Sequence, residues 1–258
     1  MAEAIVADHV TKDFVLRRHR TFKQMTVAKM RGLETVDRFN AVDDVSFTIQ
    51  QGESVGLMGL NGSGKSTLLK VISGVMKPNK GTMLTRGRIA GLIATGAGFQ
   101  NTLSGMDNIF LNAAIYGLSE KETKATLDEI IEFADIGRFI HQPVGTYSSG
   151  MTSRLGFAIA VHVDCDIFLA DEILAVGDKP FKRKCMKKME EIRNSGKTIV
   201  YVSHAAASVQ RMCDRVIALE KGRLLYDGAV DEGIRILNYG DEDGDELGVD
   251  DAELGADV

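Results

Sequence analysis

Gly59-Leu60-Asn61-Gly62-Ser63-Gly64-Lys65-Ser66-Thr67 matches the spacing G-x-x-x-x-G-K-[ST], a loop that holds the β- and γ-phosphates of a nucleotide. Gly59, Gly62 and Gly64 let the backbone curl until several N–H groups, those around Asn61 and Ser63 among them, point inward at anionic oxygens. Lys65 adds a point charge to the phosphates, and the hydroxyl of Ser66, followed by Thr67, is a ligand for Mg²⁺. The flanks agree with this reading. Ser54-Val55-Gly56-Leu57-Met58 predicts a buried strand entering the loop. Ser66 to Ser73 predicts a helix leaving it, stopped by Gly74, whose N-terminal dipole adds to the phosphate site.

The rest of the chain bounds what such a loop can serve. At 258 residues, with 44% apolar and 26% charged content, one large α/β domain or a large and a small subdomain is expected. No apolar run approaches the roughly 20 residues that span a bilayer, and the N-terminus lacks a basic-then-apolar signal, so a cytoplasmic chain is expected. Cys165, Cys185 and Cys213 share no C-x-x-C spacing and read as buried free thiols. The net charge of −5 conceals an asymmetry: residues 241–258 hold nine carboxylates and no Lys or Arg, leaving 31 basic against 27 acidic residues elsewhere. That segment reads as a disordered acidic tail, and 1–240 as the folded unit. A mildly basic body is not the footprint of a dedicated nucleic-acid binder, so no nucleic-acid partner is expected.

Ala4 to Val10 and Val45-Ser46-Phe47-Thr48-Ile49 read as strands, the second with period two. Gly81 to Leu84 and Arg88 to Ile93 suggest further strands, and a helical block follows at about 101–160. Ser119 with Glu122 forms a capping box that opens a helix through Ala134, with Leu127, Ile130, Ile131 and Phe133 on its apolar face. Thr198 to Val202 is a short apolar run typical of a central parallel strand, and Glu220-Lys221-Gly222 is the turn of a hairpin. Between the first two strands lies a basic insert, 17–38. On a helical wheel its Phe22, Met25, Met30, Leu33 and Val36 oppose Arg20, Arg31 and Arg38, with Lys29 inside the apolar arc. Two readings stay open: a helix packed on its own domain, or one at a headgroup surface.

Ile167-Phe168-Leu169-Ala170-Asp171-Glu172 is an apolar run ending in two carboxylates. A strand tip places Asp171 at the carboxyl edge of a parallel sheet, where open α/β folds bind ligands. Asp171 is then placed to hold Mg²⁺ directly or through water, and Glu172 to face a water positioned for in-line attack.

Tyr147-Ser148-Ser149-Gly150-Met151 precedes a helical stretch, and Ser148 lies 23 residues before Asp171. Here the sequence resembles the ATP-binding cassette (ABC) ATPases, whose signature reads Leu-Ser-Gly-Gly-Gln in that place. Ser148 and Gly150 match; Tyr147, Ser149 and Met151 depart. Gln100 matches the family's glutamine loop, which senses Mg²⁺ and the attacking water, and His204 its switch histidine at the γ-phosphate. Asp178 matches the aspartate of the loop that crosses the dimer, and Phe14 the aromatic that stacks on adenine. The finer resemblance is to ATPases that export polysaccharides such as O-antigen, teichoic acid and cell-wall galactan. Gly96-Ala97-Gly98-Phe99, Tyr147 to Met151, and Ile173 to Asp178 carry it.

The resemblance implies an α/β fold: a P-loop (RecA-like) core with an antiparallel β-subdomain and a helical subdomain. It implies ATP and Mg²⁺, with Ser66, Gln100 and Asp171 on the metal and Glu172, Gln100 and His204 in catalysis. It implies a homodimer across two ATPs, in which Ser148, Ser149 and Gly150 complete the partner's site. It also implies a polytopic membrane permease docking after Gln100, a lipid-linked polysaccharide as substrate, and a peripheral position on the cytoplasmic side of the membrane. The sugar-binding β-sandwich that some members carry at the C-terminus is not expected here.

Overall fold

Uninterrupted apolar strands need cover on both faces, and the arrangement of elements supplies it. The computed structural model describes residues 2–17, 36–91, 98–171, 178–203 and 205–237. The strands among them are β1 (Glu3–Arg17), β2 (Val36–Gln50), β3 (Ser54–Met58), β4 (Lys80–Thr85), β5 (Ile89–Gly91), β6 (Ile167–Ala170), β7 (Thr198–Val202), β8 (Arg215–Glu220) and β9 (Arg223–Gly228). The helices are α1 (Lys65–Ile72), α2 (Gly105–Ile115), α3 (Glu120–Ala134), α4 (Ser149–His162), α5 (Lys179–Asn194), α6 (Ala206–Met212) and α7 (Val230–Ile236). One antiparallel sheet has the order β2-β1-β4. The other runs β5-β6-β7-β3-β8-β9 and is parallel except for β9.

Strand periodicity divides the interior in two. Along β6 and β7, Phe168, Ala170, Ile199 and Tyr201 face the helices α2 to α5. Their neighbours Ile167, Leu169, Val200 and Val202 face α1 and the antiparallel sheet, meeting Leu68, Leu69, Ile5, Val45 and Ile49. Because β3, β6 and β7 are buried at every position, their carboxyl ends are held rigidly side by side. That edge is where the phosphate loop leaves β3.

The helical layer forms as its sequence dictates. Ser119 Oγ accepts the Glu122 N–H while Glu122 Oε2 accepts the Ser119 N–H at 2.7 Å, closing the capping box of α3. Phe133 of α3, Phe157 of α4 and Phe181 of α5 stack or meet edge-on with ring centroids 5.8–6.2 Å apart, joining the three helices. At the far edge of the sheet, Lys221 and Gly222 both take positive φ, as a two-residue turn between twisted strands requires. All three cysteines are free and buried, and burial pushes the thiols of Cys185 and Cys213 up to about 12. Among the described residues, no helix is long and apolar enough to cross a membrane.

The basic insert departs from the helical wheel at its ends. Arg17 pairs with Val36 and Val15 with Arg38 in an antiparallel ribbon that continues β1 and β2. Arg38 lies 3.1 Å from the carboxylate of Asp13 across the ribbon. Cross-strand pairing is a long-range property that a helical wheel cannot register, and it claims Val36 and Arg38 for the sheet. Residues 18–35, with Phe22, Met25, Met30, Leu33, Arg20 and Arg31, lie outside the described residues, as does the acidic tail.

Candidate functional site

The loop between β3 and α1 carries its conformation in its glycines. At Gly59 (φ 142°) a Cβ would sit 2.3 Å from the Leu219 carbonyl oxygen, and at Gly64 (φ 107°) 2.2 Å from that of Ala41. The loop is thus pressed between β8 and β2, with no room for a side chain facing either. The Gly222 N–H donates to Ser63 O at 2.9 Å, and the Asp43 N–H to Gly222 O at 2.7 Å. The β8–β9 turn is thereby fastened to both neighbours.

Inside this clamp the loop presents unsatisfied polar atoms. The α1 N-terminus has no side-chain cap and no acidic residue in its first turn. Ser63 Oγ is buried and has no hydrogen-bond partner among the described residues. Lys65, only 7% exposed, folds back so that Nζ donates to Gly59 O at 2.5 Å and Leu60 O at 3.2 Å. Burial pushes its ammonium down from the ordinary lysine value, and the charge of Asp171 opposes that shift. Asp171 stands at the tip of β6, so strand end and phosphate loop converge electrostatically, as the sequence reading requires. Open backbone donors, a buried cation and a nearby carboxylate form a cradle suited to a polyphosphate anion. Asn61, Gly62 and Ser66 are exposed.

Gln100 is exposed just before α2, and its backbone is gripped on both sides: its N–H donates to Asn108 Oδ1 at 2.7 Å, and its carbonyl accepts from Asn108 Nδ2 at 3.1 Å. Ser148 is the N-cap of α4, accepting the Met151 N–H at 3.2 Å; Ser148 and Ser149 are exposed and Gly150 half-buried. Asp178 is the N-cap of α5 and takes an ion pair of 2.9 Å from Arg154 of α4. The Arg154 guanidinium also lies 4.7 Å from the Phe181 ring centre. Phe14 sits on β1 opposite Phe39, whose strand continues to the Ala41 carbonyl beside Gly64. Glu172 and His204 lie outside the described residues.

The family described as "ABC transporter" matches residues 42–175. An O-antigen export system ATP-binding protein of Klebsiella pneumoniae is 41% identical over 240 residues, covering 92% of this chain and 98% of the relative. The chain belongs to the ABC transporter family. As an ABC ATPase it binds ATP and couples its hydrolysis to transport. A teichoic acids export ATP-binding protein of Levilactobacillus brevis is 43% identical, covering 90% of this chain and 63% of the relative. Among solved structures, an ATP-binding subunit of an ABC transporter aligns with TM-score 0.70 at 24% identity, covering 95% of this chain and 97% of the other. A dimeric ATP-binding cassette in a post-hydrolysis state bound to ADP and Pi aligns with TM-score 0.69 at 22% identity, covering 88% and 98%. These two establish the RecA-like core with its antiparallel β-subdomain as an ABC ATPase fold.

Sequence reasoning missed four residues around this ABC site. Asn108 and Asn112 are buried polar residues at i and i+4 on α2, and Tyr116 continues the stripe at i+8. Arg154 was a second omission, since its partner Asp178 is 24 residues away. The signal for the first was present: a polar stripe at helical spacing within an otherwise apolar helix.

Proposed function

We propose that the chain is the ATP-hydrolysing motor of a transporter that exports a lipid-linked cell-surface polysaccharide. The observation that carries this reading is the near full-length likeness to the Klebsiella export protein, 41% identical over 98% of that relative. Two copies face each other across two ATPs. Each site takes Phe14, the Gly59–Thr67 loop, Gln100, Asp171, Glu172 and His204 from one chain, and Ser148, Ser149, Gly150 and Asp178 from the other. The exposure of Ser148 and Ser149 at the head of α4 supports the second half of that assignment.

The donor set fits Mg²⁺: the Ser66 hydroxyl, the Gln100 amide and the Asp171 carboxylate are hard oxygen ligands. When bound, the ion neutralises phosphate charge during in-line transfer. Lys65 holds the β- and γ-phosphates, releasing the two carbonyls it now caps. Glu172 accepts a proton from the attacking water, and His204 contacts the γ-phosphate. A polytopic permease forms the channel, and the chain sits against it on the cytoplasmic face of the membrane. Leu103, Leu111 and Ile115, all exposed on and before α2, supply an apolar docking surface directly after Gln100.

Deletion of the gene tests the export reading. The polymer should disappear from the cell surface and accumulate inside on its lipid carrier, and a Lys65→Ala copy should not restore it. Normal surface polymer in the deletion strain would refute the assignment.

A further inference from the structure

We propose that Asn108 is a positioning residue for ATP hydrolysis: through its side-chain amide, α2 sets the place of Gln100. This rests on the role given to Gln100 above. Asn108 is fully buried, and its single amide group lies within hydrogen-bond distance of four backbone groups of the turn that follows the site. Oδ1 accepts the Gln100 N–H at 2.7 Å, while Nδ2 lies 3.1 Å from Gln100 O, 3.2 Å from Leu103 O and 2.8 Å from Ser104 O. Losing the amide takes the acceptor from the Gln100 N–H, whereas Gln100 O, Leu103 O and Ser104 O keep the backbone donors Leu103 N, Val144 N and Asn108 N.

The rest of the stripe grips the same segment upstream. Tyr116 donates to Gly91 O at 2.7 Å, and burial pushes its hydroxyl up to about 12, keeping it a donor. Asn112 donates to Asn108 O at 2.9 Å, and its Oδ1 lies close enough to Gly98 that a Cβ there would stand 3.1 Å away. One helix thus hydrogen-bonds Gly91 and Gln100 through Tyr116 and Asn108, with Asn112 standing against Gly98 between them. The flank of this stripe carries exposed Leu111 and Ile115, and Ile115 Cδ1 would stand 3.3 Å from a Cβ at Gly98. A displacement of α2 applied at Leu111 and Ile115 therefore reaches Gln100 through the Asn108 amide, rather than through loop backbone free to lag behind it.

A double-mutant cycle on ATP turnover by the full chain tests this. Asn108→Ala should lower kcat roughly tenfold while KM for ATP stays within about twofold, because a displaced group spoils reaction geometry and the phosphate loop is untouched. Combined with Gln100→Ala, it should add less than about twofold, since both changes remove the same positioned group. A folded Asn108→Ala protein with wild-type kcat, or losses that multiply in the double variant, would overturn the inference. Should Asn108→Ala fail to fold, Asn108→Asp carries the same cycle, keeping the acceptor for the Gln100 N–H. If Gln100→Ala itself leaves kcat unchanged, the reading of Gln100 fails, and the Asn108 inference with it; failure of Asn108 alone leaves Gln100→Ala impaired.

Discussion

Substituting alanine at two glycines of one loop separates strain from collision. At Gly64 the backbone φ is 107°, a region where an L-residue costs about 1–3 kcal/mol. The new methyl would also stand 2.2 Å from the Ala41 carbonyl oxygen, about 1 Å inside ordinary contact. Ala41 is buried at a bulge of β2, held on each side by Asn40 and Val42 paired with Asp13 and Lys12, and overpacking there costs about 1–3 kcal/mol more. The sum is about 4 kcal/mol. Gly62 has φ 80° but nothing within 4 Å of a would-be Cβ, so only the backbone cost applies there. For a chain of this size each kcal/mol lowers Tm by about 2–4 °C, so Gly64→Ala should melt about 8–16 °C below wild type. Gly62→Ala, at about 2 kcal/mol, should melt only about 4–8 °C below it. Circular dichroism melts without nucleotide make the comparison. Equal melting temperatures, or the reverse order, would refute the clamp between the loop and β2.

Glu172→Gln should retain ATP binding yet lose turnover by roughly 10²–10⁴-fold, measured as phosphate release from the purified transporter; near-normal release would remove Glu172 from the chemistry. In a covalently linked pair of copies, Lys65→Ala and Ser148→Arg placed in one chain should damage both ATP sites. Placed in opposite chains they should leave one site whole, and equal activity from the two arrangements would count against shared sites. His162 packs edge-on against Phe133, and its Nδ1 lies 2.7 Å from Ala158 O. Burial lowers its pKa from 6.5, with Lys188 and Lys184 acting in the same direction and Glu129 opposing. Its folded pKa lies below the unfolded one, so its contribution to stability is full above pH 6.5 and fades as pH falls through the folded value. Urea titrations at pH 7.5 and below 6 should therefore show a loss that His162→Gln reduces.

What the sequence made legible was local. The glycine spacing, the all-apolar runs at 54–58, 167–170 and 198–202, and the Ser119–Glu122 box each specify their element within a few residues, because periodicity and capping are short-range properties. Partners distant in sequence were another matter. Val36 and Arg38 suited an amphipathic wheel, yet register with Arg17 and Val15 placed them in a ribbon, which only the folded chain can reveal. Arg154 meets Asp178, 24 residues away, only because α5 brings it there. The burial of Asn108 is decided by the turn that wraps over it, although its place in a polar stripe was visible.

The clamp on the phosphate loop also orders events in time. Its sequence is complete at Thr67, but the wall against Gly59 is Leu219 and the bond to the Ser63 carbonyl comes from Gly222. On the ribosome, at roughly 5–20 residues per second, some 155 further residues take about 8–30 seconds to arrive. Until then a growing chain carries the loop with neither neighbour from β8 nor the turn beyond it. The walls that shape the phosphate loop are thereby completed only once Gly222 has been made, long after the loop itself.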